Sequence, residues 1–364
     1  WGFASSQYIT ERDVIIFEQR GNRYAQPALM CDYEDIANFD QESTPCLDQI
    51  LAQGVDISQY ITAVIAEDIE ALRLALDIDQ WNLYGTSYST RLMQDLMANH
   101  PDGIRSAILQ SVSPLHDTRY EHDPEHSARA LAVMFSDCAA DLACAAEYPD
   151  LEEKFAEAVA VLNDDPVELE FANPDTGEKF PYTVDGNTFI SWMVGDSFYG
   201  PAYPRYTTAY LPLLIQAASQ RNITILRKWA AWNLEKDVFL SPDFSYGVYF
   251  GVNCQDDIRQ MTEAQYQAQT AAYPELDGYL RHWEEFQACA LWGLPQAPLL
   301  ADVPVKSEIP TLILAGRYDP ITPPEWAQQV AASLVNAFYV EFPSEGHSLD
   351  AISSCPEFQT LPGA

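Results

Sequence analysis

The chain has 364 residues, of which 48% are hydrophobic and 12% aromatic, and this composition excludes a disordered chain. Its 54 acidic residues against 19 Lys and Arg give a net charge of −35, which repels phosphate and excludes nonspecific binding to nucleic acids or anionic membranes. No stretch approaches the roughly 20 apolar residues that a membrane span needs. At this length we expect either one large core with a substantial insertion or two domains.

The first part of the chain alternates predicted strands and helices. The apolar run VIIF at residues 14–17 predicts a buried strand. Residues 58–76 carry apolar side chains at helical spacing, with Ser58 as the N-cap. Three more predicted elements follow: a strand over 81–84, a helix over 91–98 and a strand over 104–109. This order predicts a mostly parallel α/β sheet.

The alternation stops near Ser113 and resumes much later in the chain. The intervening residues 116–300 are mostly helical in pattern, rich in Tyr and Trp, and interrupted by Pro and Gly clusters. Three predicted elements then follow: a strand over 311–314, a helix near 325–334 and a strand over 337–342. We therefore predict a core formed by 1–115 and 301–364, with a mainly helical cap over 116–300.

Seven cysteines are present, without a CxxC pair or a zinc-ribbon spacing. The pairs Cys31–Cys46 and Cys138–Cys144 flank short, turn-rich segments, and disulfides there predict an oxidising compartment, secreted or periplasmic. The alternative is buried free thiols in a cytosolic enzyme. Cys355 is left over, and we expect its partner beyond the end of this chain.

Gly85-Thr86-Ser87-Tyr88-Ser89 stands between a predicted strand and a predicted helix. This is the context of a nucleophile elbow, a sharp turn that lifts a serine oxygen above the sheet. The usual motif ends in Gly, and Ser89 at that position weakens the match, although Ser is also small. The motif assigns Ser87 as nucleophile and the Tyr88 backbone N–H as an oxyanion donor.

A serine nucleophile needs a base and a group that orients the base. Asp319 directly follows the strand predicted over 311–314, and His347 follows the next predicted strand. Both therefore lie at carboxyl ends of strands, where α/β sheets place their sites. Taken singly, Asp319 fits a turn residue and His347 a surface histidine. The order Ser87, Asp319, His347 is that of α/β-hydrolases, and we predict a catalytic triad.

Several segments resemble the proline iminopeptidases and tripeptidyl aminopeptidases. DVIIFEQRG at residues 13–21 resembles the strand and turn that follow their oxyanion loop, and YGTSY at 84–88 resembles their elbow. Three others resemble the secreted tripeptidyl-aminopeptidase-like branch: Cys254-Gln255-Asp256, residues 316–323 and residues 346–348. The resemblance covers most of the chain and is weakest over 145–245. It implies an α/β-hydrolase with a helical cap that acts on peptide N-termini or on related small amides and esters.

The same resemblance implies a Cys254–Cys289 disulfide and a role for Asp256 in binding a substrate ammonium group. The alternative is that Asp256 and Asp257 are surface acids among the 54. The aromatic residues of the predicted cap either line the substrate pocket or form the core of the cap; they are Trp192, Phe198, Tyr199, Tyr203 and Tyr206.

Two features of that family are missing from this sequence: its His-Gly-Gly-Pro-Gly-type oxyanion loop and its first strands. We therefore expect an N-terminal segment, ending just before Trp1, that supplies a Gly-rich loop and completes the sheet. We also expect a C-terminal extension that carries a Cys for Cys355.

Histidines and acids cluster near residue 120, at His116, Asp117, His122, Asp123, Glu125 and His126. Their side-chain types suit a metal, but Pro124 interrupts the run and no HExxH motif is present. We therefore interpret this segment as a solvated loop without a metal. Neither GxGxxG nor GxxxxGK[ST] occurs, so we predict no nucleotide, and a serine triad needs no cofactor.

The sequence thus predicts a serine hydrolase, an aminopeptidase of the prolyl or tripeptidyl type. A carboxylesterase with the same triad is the alternative, and a noncatalytic binding protein with the hydrolase fold is a third hypothesis. An acid that binds the substrate amine distinguishes the first two, and an intact oxyanion site distinguishes an enzyme from a binding protein.

Overall fold

The computed structural model describes residues 12–31, 43–173, 176–198, 207–234, 244–258, 261–276, 278–279, 283–298, 300–301 and 303–349. Tyr199, Tyr203, Tyr206 and Cys355 lie outside these residues, as do residues 1–11.

Four parallel strands form the main sheet, in the spatial order β1-β2-β5-β6. They are β1 (Trp81–Thr86), β2 (Ile104–Gln110), β5 (Thr311–Gly316) and β6 (Ala337–Phe342). Leu83, Leu109 and Ile313 are buried. The strands in the middle of the sheet contain continuous apolar runs, as expected for parallel strands covered on both faces. The predicted parallel sheet is therefore confirmed for these four strands.

Two helices make the crossovers within this sheet: α3 (Ser89–Asn99) between β1 and β2, and α13 (Pro324–Ser333) between β5 and β6. Two earlier helices precede it, α1 (Ser43–Ala52) and α2 (Thr62–Ala75). Because all four strands are parallel, the loops that follow β1, β5 and β6 open at the same edge of the sheet. Ser87, Asp319 and His347 lie in those three loops.

Between β2 and β5 lie nine further helices and two strands of the described residues. They are α4 (Asp123–Ala140), α5 (Leu142–Glu147), α6 (Leu151–Asp164), β3 (Val167–Ala172), β4 (Lys179–Val184), α7 (Gly186–Ile190), α8 (Thr207–Ser219), α9 (Ile223–Leu234), α10 (Tyr246–Val252), α11 (Glu263–Thr270) and α12 (Trp283–Trp292). The backbone has π-helical geometry at Ser191–Ser197 and at Asn253–Asp257. The antiparallel β3–β4 pair was not predicted, although VELEF at residues 167–171 shows the alternation of a half-buried strand.

Two hydrophobic clusters hold these layers together. One surrounds the main sheet and includes Phe250 and Trp292, so α10 and α12 pack with the sheet although they belong to the inserted segment between β2 and β5. The other is built from the inserted helices, around Phe155, Phe189 and Trp192. The division at residues 115 and 300 stays a prediction, since the later inserted helices share the core of the sheet.

The strand predicted at residues 14–17 is wrong for this structure. These residues have no regular secondary structure, and Val14, Ile15 and Ile16 are 42%, 45% and 58% exposed. A strand exists only through hydrogen bonds to a neighbour, and β1 is paired with β2 alone among the described strands. The apolar run indicates burial against a partner, and no described residues act as that partner.

The start of α2 also differs from the prediction. Ser58 lies in a short 3₁₀ turn that Asp56 caps, and α2 begins only at Thr62. The N-cap residue Ile61 makes no side-chain cap hydrogen bond. A distant carboxylate, Asp256, accepts from the Thr62 backbone N–H instead, and no local pattern encodes that contact.

The three disulfides predicted for this chain are present. Cys31 is bonded to Cys46 and Cys138 to Cys144. Cys254 is bonded to Cys289, which ties the π-helical turn before Asp257 to α12. Free thiols at these six positions are therefore excluded. Among the helices of the described residues, none combines the length and apolar character that crossing a bilayer requires.

Candidate active site

Ser87 stands at the sharp turn between β1 and α3. Its φ is +56°, in the left-handed region, which costs an L-residue roughly 1–2 kcal/mol. The turn is held by hydrogen bonds on both sides of the serine: the Ser87 N–H donates to Gln110 at 3.0 Å, and the Thr90 N–H donates to the Ser87 carbonyl at 2.9 Å. This geometry presents the Ser87 side chain at the carboxyl edge of the sheet.

Ser89 strengthens this turn. Its hydroxyl accepts from the Thr86 N–H and donates to the Thr86 carbonyl, both at 2.7 Å. A glycine at this position would leave those two backbone groups without the bridge. The departure from the usual elbow motif is therefore compatible with the elbow geometry.

Ser87, His347 and Asp319 form one hydrogen-bonded chain. His347 Nε2 lies 2.8 Å from Ser87 Oγ, and His347 Nδ1 lies 2.9 Å from Asp319 Oδ2 and 3.1 Å from Oδ1. Asp319 is 0% exposed and His347 2% exposed. A carboxylate at Nδ1 favours the tautomer with the proton on Nδ1, which leaves the Nε2 lone pair facing the serine hydroxyl. The arrangement can therefore transfer a proton from Ser87 to His347.

The Asp319 carboxylate is held by a set of donors from its own loop. The backbone N–H groups of Ile321 and Thr322 donate to Oδ1, each at 2.8 Å. The Thr322 hydroxyl donates to Oδ2 at 2.8 Å and lies 3.0 Å from His347 Nδ1. These bonds replace the water that burial removes and fix the carboxylate plane. Sequence reasoning missed Thr322, although the spacing Asp-x-x-Thr after a strand could have indicated an Asp side chain bound by the following turn.

Backbone hydrogen bonds hold the loop that carries His347 in place. The His347 N–H donates to the Phe198 carbonyl at 2.6 Å, and the Ser111 hydroxyl donates to the His347 carbonyl. Gly346 is needed here because a Cβ would lie 1.9 Å from the Phe198 oxygen. Gly316 is needed for the same reason, since its Cβ would lie 1.9 Å from the Gly346 oxygen.

Helix α4 clamps the loop that carries Asp319. Asp137 accepts from Arg317 Nε and Nη2 at 2.8 and 2.9 Å, and from the Tyr318 hydroxyl at 2.9 Å. Arg129 donates to the Arg317 carbonyl through both terminal nitrogens, at 3.0 and 2.8 Å. The hydrogen bond from Arg317 is the main cause of a lowered pKa at Asp137. The inserted helices therefore contact the site by specific polar bonds as well as by packing.

Asp256 is not a surface acid, because it is 2% exposed. Its Oδ2 accepts from the Thr62 N–H at 2.8 Å and from the Thr62 hydroxyl at 2.6 Å. Its Oδ1 has no hydrogen-bond partner among the described residues. Burial raises the pKa of this carboxyl, against the lowering effect of the Thr62 bonds. Asp257 is buried too, in an ion pair with Arg91 of α3.

The aromatic residues assigned to the pocket can be placed only in part. Trp192 and Phe198 are 1% and 0% exposed and belong to the cluster of the inserted helices. For these two the core alternative holds. Phe198 also stacks on Tyr318, with ring centroids 5.7 Å apart.

The histidine segment is more ordered than a solvated loop. Pro124 lies in the first turn of α4, where proline is compatible with a helix, so the rings of His122 and His126 stack 5.4 Å apart. His126 is 7% exposed, so the solvated-loop interpretation is wrong for it. Asp117, Glu121 and His122 bring potential ligand atoms within 4.8 Å of one another. His122 Nε2 is bonded to Asp117 at 3.0 Å, which raises the pKa of His122.

Two family models match this chain. The model of the alpha/beta hydrolase fold matches residues 3–135, which include β1, the elbow and β2. The model described as TAP-like protein matches residues 277–357, which include Asp319 and His347. With the parallel sheet and the elbow, these matches define the chain as an α/β-hydrolase. The match to the TAP-like model agrees with the resemblance of the motifs to the secreted tripeptidyl-aminopeptidase-like branch.

Curated relatives include serine protease Hip1 of Mycobacterium tuberculosis and of Mycobacterium bovis. Each is 24% identical to this chain over 351 residues, and the alignment covers 85% of this chain. The chain spans 64% of the length of these relatives.

Solved structures are also similar to this chain, at low sequence identity. A hydrolase from Pseudomonas aeruginosa PA01 is 15% identical, with a TM-score of 0.35, and the match covers 94% of this chain and 75% of that one. The putative non-heme bromoperoxidase BpoC from Mycobacterium tuberculosis is 18% identical, with a TM-score of 0.31, and the match covers 79% and 67%.

Proposed function

We propose that the chain is a serine hydrolase that removes N-terminal residues or short peptides from peptide substrates, as an aminopeptidase of the prolyl or tripeptidyl type. The observation that carries the proposal is the chain of hydrogen bonds from Ser87 through His347 to the buried Asp319. The match of residues 277–357 to the TAP-like model and the similarity to serine protease relatives support a peptidase rather than another hydrolase.

In the proposed mechanism, Ser87 Oγ attacks the carbonyl carbon of the scissile bond while His347 Nε2 takes the hydroxyl proton. The resulting imidazolium is stabilised by Asp319, which itself stays ionised. The Tyr88 backbone N–H donates to the developing oxyanion, since it belongs to the residue after the nucleophile. His347 then gives its proton to the leaving amine, and an acyl-enzyme forms at Ser87. Water, deprotonated by the same imidazole, hydrolyses that ester and restores Ser87.

The other proposals follow from this one. The assignment of Tyr199 and Tyr203 to the substrate pocket stays a prediction, since both lie outside the described residues, and Asp256 binds the substrate ammonium through Oδ1, which has no partner among the described residues. No cofactor takes part. Three disulfides support a secreted or periplasmic location, because such bonds persist in oxidising compartments.

The proposal is tested with Ser87→Ala and a panel of substrates. Tripeptidyl and prolyl amides with a free amine are compared with their N-acetylated forms and with short acyl esters. We expect the free-amine amides to be cleaved, and N-acetylation to lower kcat/KM about tenfold or more, the worth of one charge-assisted hydrogen bond. Ser87→Ala should lower kcat on the order of 10⁴-fold.

The matched control is Ser106→Ala, because Ser106 lies near the amino end of β2, at the opposite edge of the sheet. A fluorophosphonate should phosphonylate Ser87 Oγ, with fluoride as the leaving group, in the wild type and in Ser106→Ala, and the added mass should be that of the reagent less HF. Hydrolysis of the esters alone would favour the carboxylesterase, and a protein that neither reacts with the fluorophosphonate nor cleaves any substrate would be a binding protein.

A further inference from the structure

A second series of hydrogen bonds, separate from the triad, ends at the elbow. Tyr88, the residue after the nucleophile, has its phenol oxygen 3.1 Å from Thr62 Oγ1. Thr62 Oγ1 lies 2.6 Å from Asp256 Oδ2. Thr62 is 0% exposed and Asp256 2% exposed, so water does not compete for these bonds. The triad uses neither residue.

The direction of donation along this series follows from the chemistry of its members. A carboxylate oxygen only accepts, so the single Thr62 hydroxyl proton is donated to Asp256. The Thr62 oxygen is then left to accept, and Tyr88 must donate to it. Burial and the nearby Asp256 carboxylate raise the pKa of the Tyr88 phenol, which keeps it protonated and able to donate. The order is therefore Tyr88 to Thr62 to Asp256.

Both ends of this series are anchored. Asp256 also accepts from the Thr62 backbone N–H at 2.8 Å and so fixes the first turn of α2. The neighbouring Gln255 amide donates to the Gly251 and Ile57 carbonyls at 2.8 and 3.1 Å. Asp257 forms its buried ion pair with Arg91, in the first turn of α3. Two adjacent carboxylates thus hold the elbow, one through Arg91 and one through Thr62.

We infer that Asp256 and Thr62 are positioning residues that fix the oxyanion donor of Tyr88 by holding its phenol in place. This inference rests on the proposed function. Tyr88 lies at the start of α3, with φ −48° and ψ −40°, where backbone N–H groups have no acceptor within the helix. Holding the phenol in place restrains the whole Tyr88 residue. This restraint limits the backbone movement that would carry the Tyr88 N–H away from a developing oxyanion. Misplacing such a group by about 1 Å can cost up to 10²-fold in rate.

The test uses Tyr88→Phe and Thr62→Val, which remove one hydroxyl each and keep the packing volume, with Thr62→Ser as the conservative control. Each concentration is normalised by fluorophosphonate titration of Ser87, so that misfolded protein does not count. We expect Tyr88→Phe and Thr62→Val to lower kcat about tenfold on free-amine amides and on esters alike, with KM within about twofold. Thr62→Ser should retain wild-type kcat.

The double variant Tyr88→Phe/Thr62→Val tests whether the residues act as one unit. If they do, the kcat of the double variant should be about the same as that of either single variant, because one substitution already interrupts the series of hydrogen bonds. Losses that multiply to about a hundredfold would overturn the inference, as would unchanged kcat in the single variants with only a lower Tm.

An ammonium role of Asp256 without the positioning role predicts a different pattern. Loss of ammonium binding in Asp256→Asn would raise KM for free-amine substrates alone and leave esters unchanged, and it would leave Tyr88→Phe fully active. That result would overturn the positioning role. If the fluorophosphonate labels wild-type Ser87 but the Tyr88 and Thr62 variants behave normally, the inference fails and the proposed function stands. If wild-type Ser87 is not labelled and no substrate is cleaved, both fail.

Discussion

Thr322 supplies two of the hydrogen bonds that hold the Asp319 carboxylate, one from its backbone and one from its hydroxyl. The hydroxyl also lies 3.0 Å from His347 Nδ1, so it contacts both the Asp319 carboxylate and the His347 imidazole. A buried carboxylate that loses a donor is free to turn, and the imidazole that it orients turns with it.

We therefore predict that Thr322→Val lowers kcat on the order of tenfold, since a hydrogen bond to a charged group is worth about 1.5–3 kcal/mol. Thr322→Ser keeps the hydroxyl and should stay within about twofold of the wild type. Steady-state kinetics on the best substrate, with Tm measured alongside, checks this. Equal kcat for the valine variant and the wild type would contradict it.

The sequence was sufficient to predict that Ser87, Asp319 and His347 meet, because each follows a strand and parallel strands end at one edge. It was not sufficient for Thr322, Ser89 or the burial of Asp256. Those contacts depend on where side chains point after the loops have folded, and the residues that make them are separated by up to 194 positions. Ser89 shows the limit well: the sequence presents it as a weakened motif, and the structure gives it two hydrogen bonds to Thr86.

At the scale of elements, a bidentate ion pair joins α4 to the loop after β5: two nitrogens of the Arg317 guanidinium donate to the Asp137 carboxylate. The two side chains are 39% and 31% exposed, so solvent screens part of their attraction. The contact joins an inserted helix to the segment that carries Asp319.

Asp137→Asn should lower the free energy of unfolding by about 1 kcal/mol at neutral pH. The pKa of Asp137 is lowered in the folded protein, so its contribution is fully present above the unfolded value near 4 and is lost as pH falls through the folded pKa. The difference between wild type and variant should therefore be constant near neutral pH and shrink below about pH 4. Urea unfolding across pH measures it, with Asp164→Asn at an exposed position as the matched control. A difference that grows on acidification would contradict the assignment.

The elements most easily predicted were the strands of the main sheet and the crossover helix α13. The strand over 337–342 has the bounds that were predicted, and β1, β2, β5 and α13 differ by one or two residues. The failures are at elements whose form depends on a partner. Residues 14–17 need a neighbouring strand to become one, and α2 begins where Asp256 reaches it rather than at the local cap signal of Ser58.

At the scale of the whole molecule, a net charge of −35 opposes compaction, and the chain is crosslinked at three places. Cys254–Cys289 closes a loop of 35 residues, whereas Cys138–Cys144 closes one of 6. A longer closed loop removes more entropy from the unfolded chain.

We predict that Cys254→Ala/Cys289→Ala lowers the free energy of unfolding by about 4 kcal/mol, and that Cys138→Ala/Cys144→Ala lowers it by about 2 kcal/mol. Urea denaturation without reductant measures both, each variant serving as the control for the other. The reverse order would show that local packing, and not loop closure, sets the effect.

The bond from His347 N–H to the Phe198 carbonyl has a thermodynamic consequence. Phe198 belongs to the cluster of the inserted helices, whereas His347 is carried by the main sheet. Any ligand that binds more tightly when this bond is intact also favours the imidazole orientation that the bond holds. By reciprocity, a group that locks the imidazole, such as an acylated Ser87, must strengthen ligand binding on the Phe198 side by the same factor. Ligand binding on the Phe198 side and acylation of Ser87 are then linked equilibria, and each favours the other by the same factor.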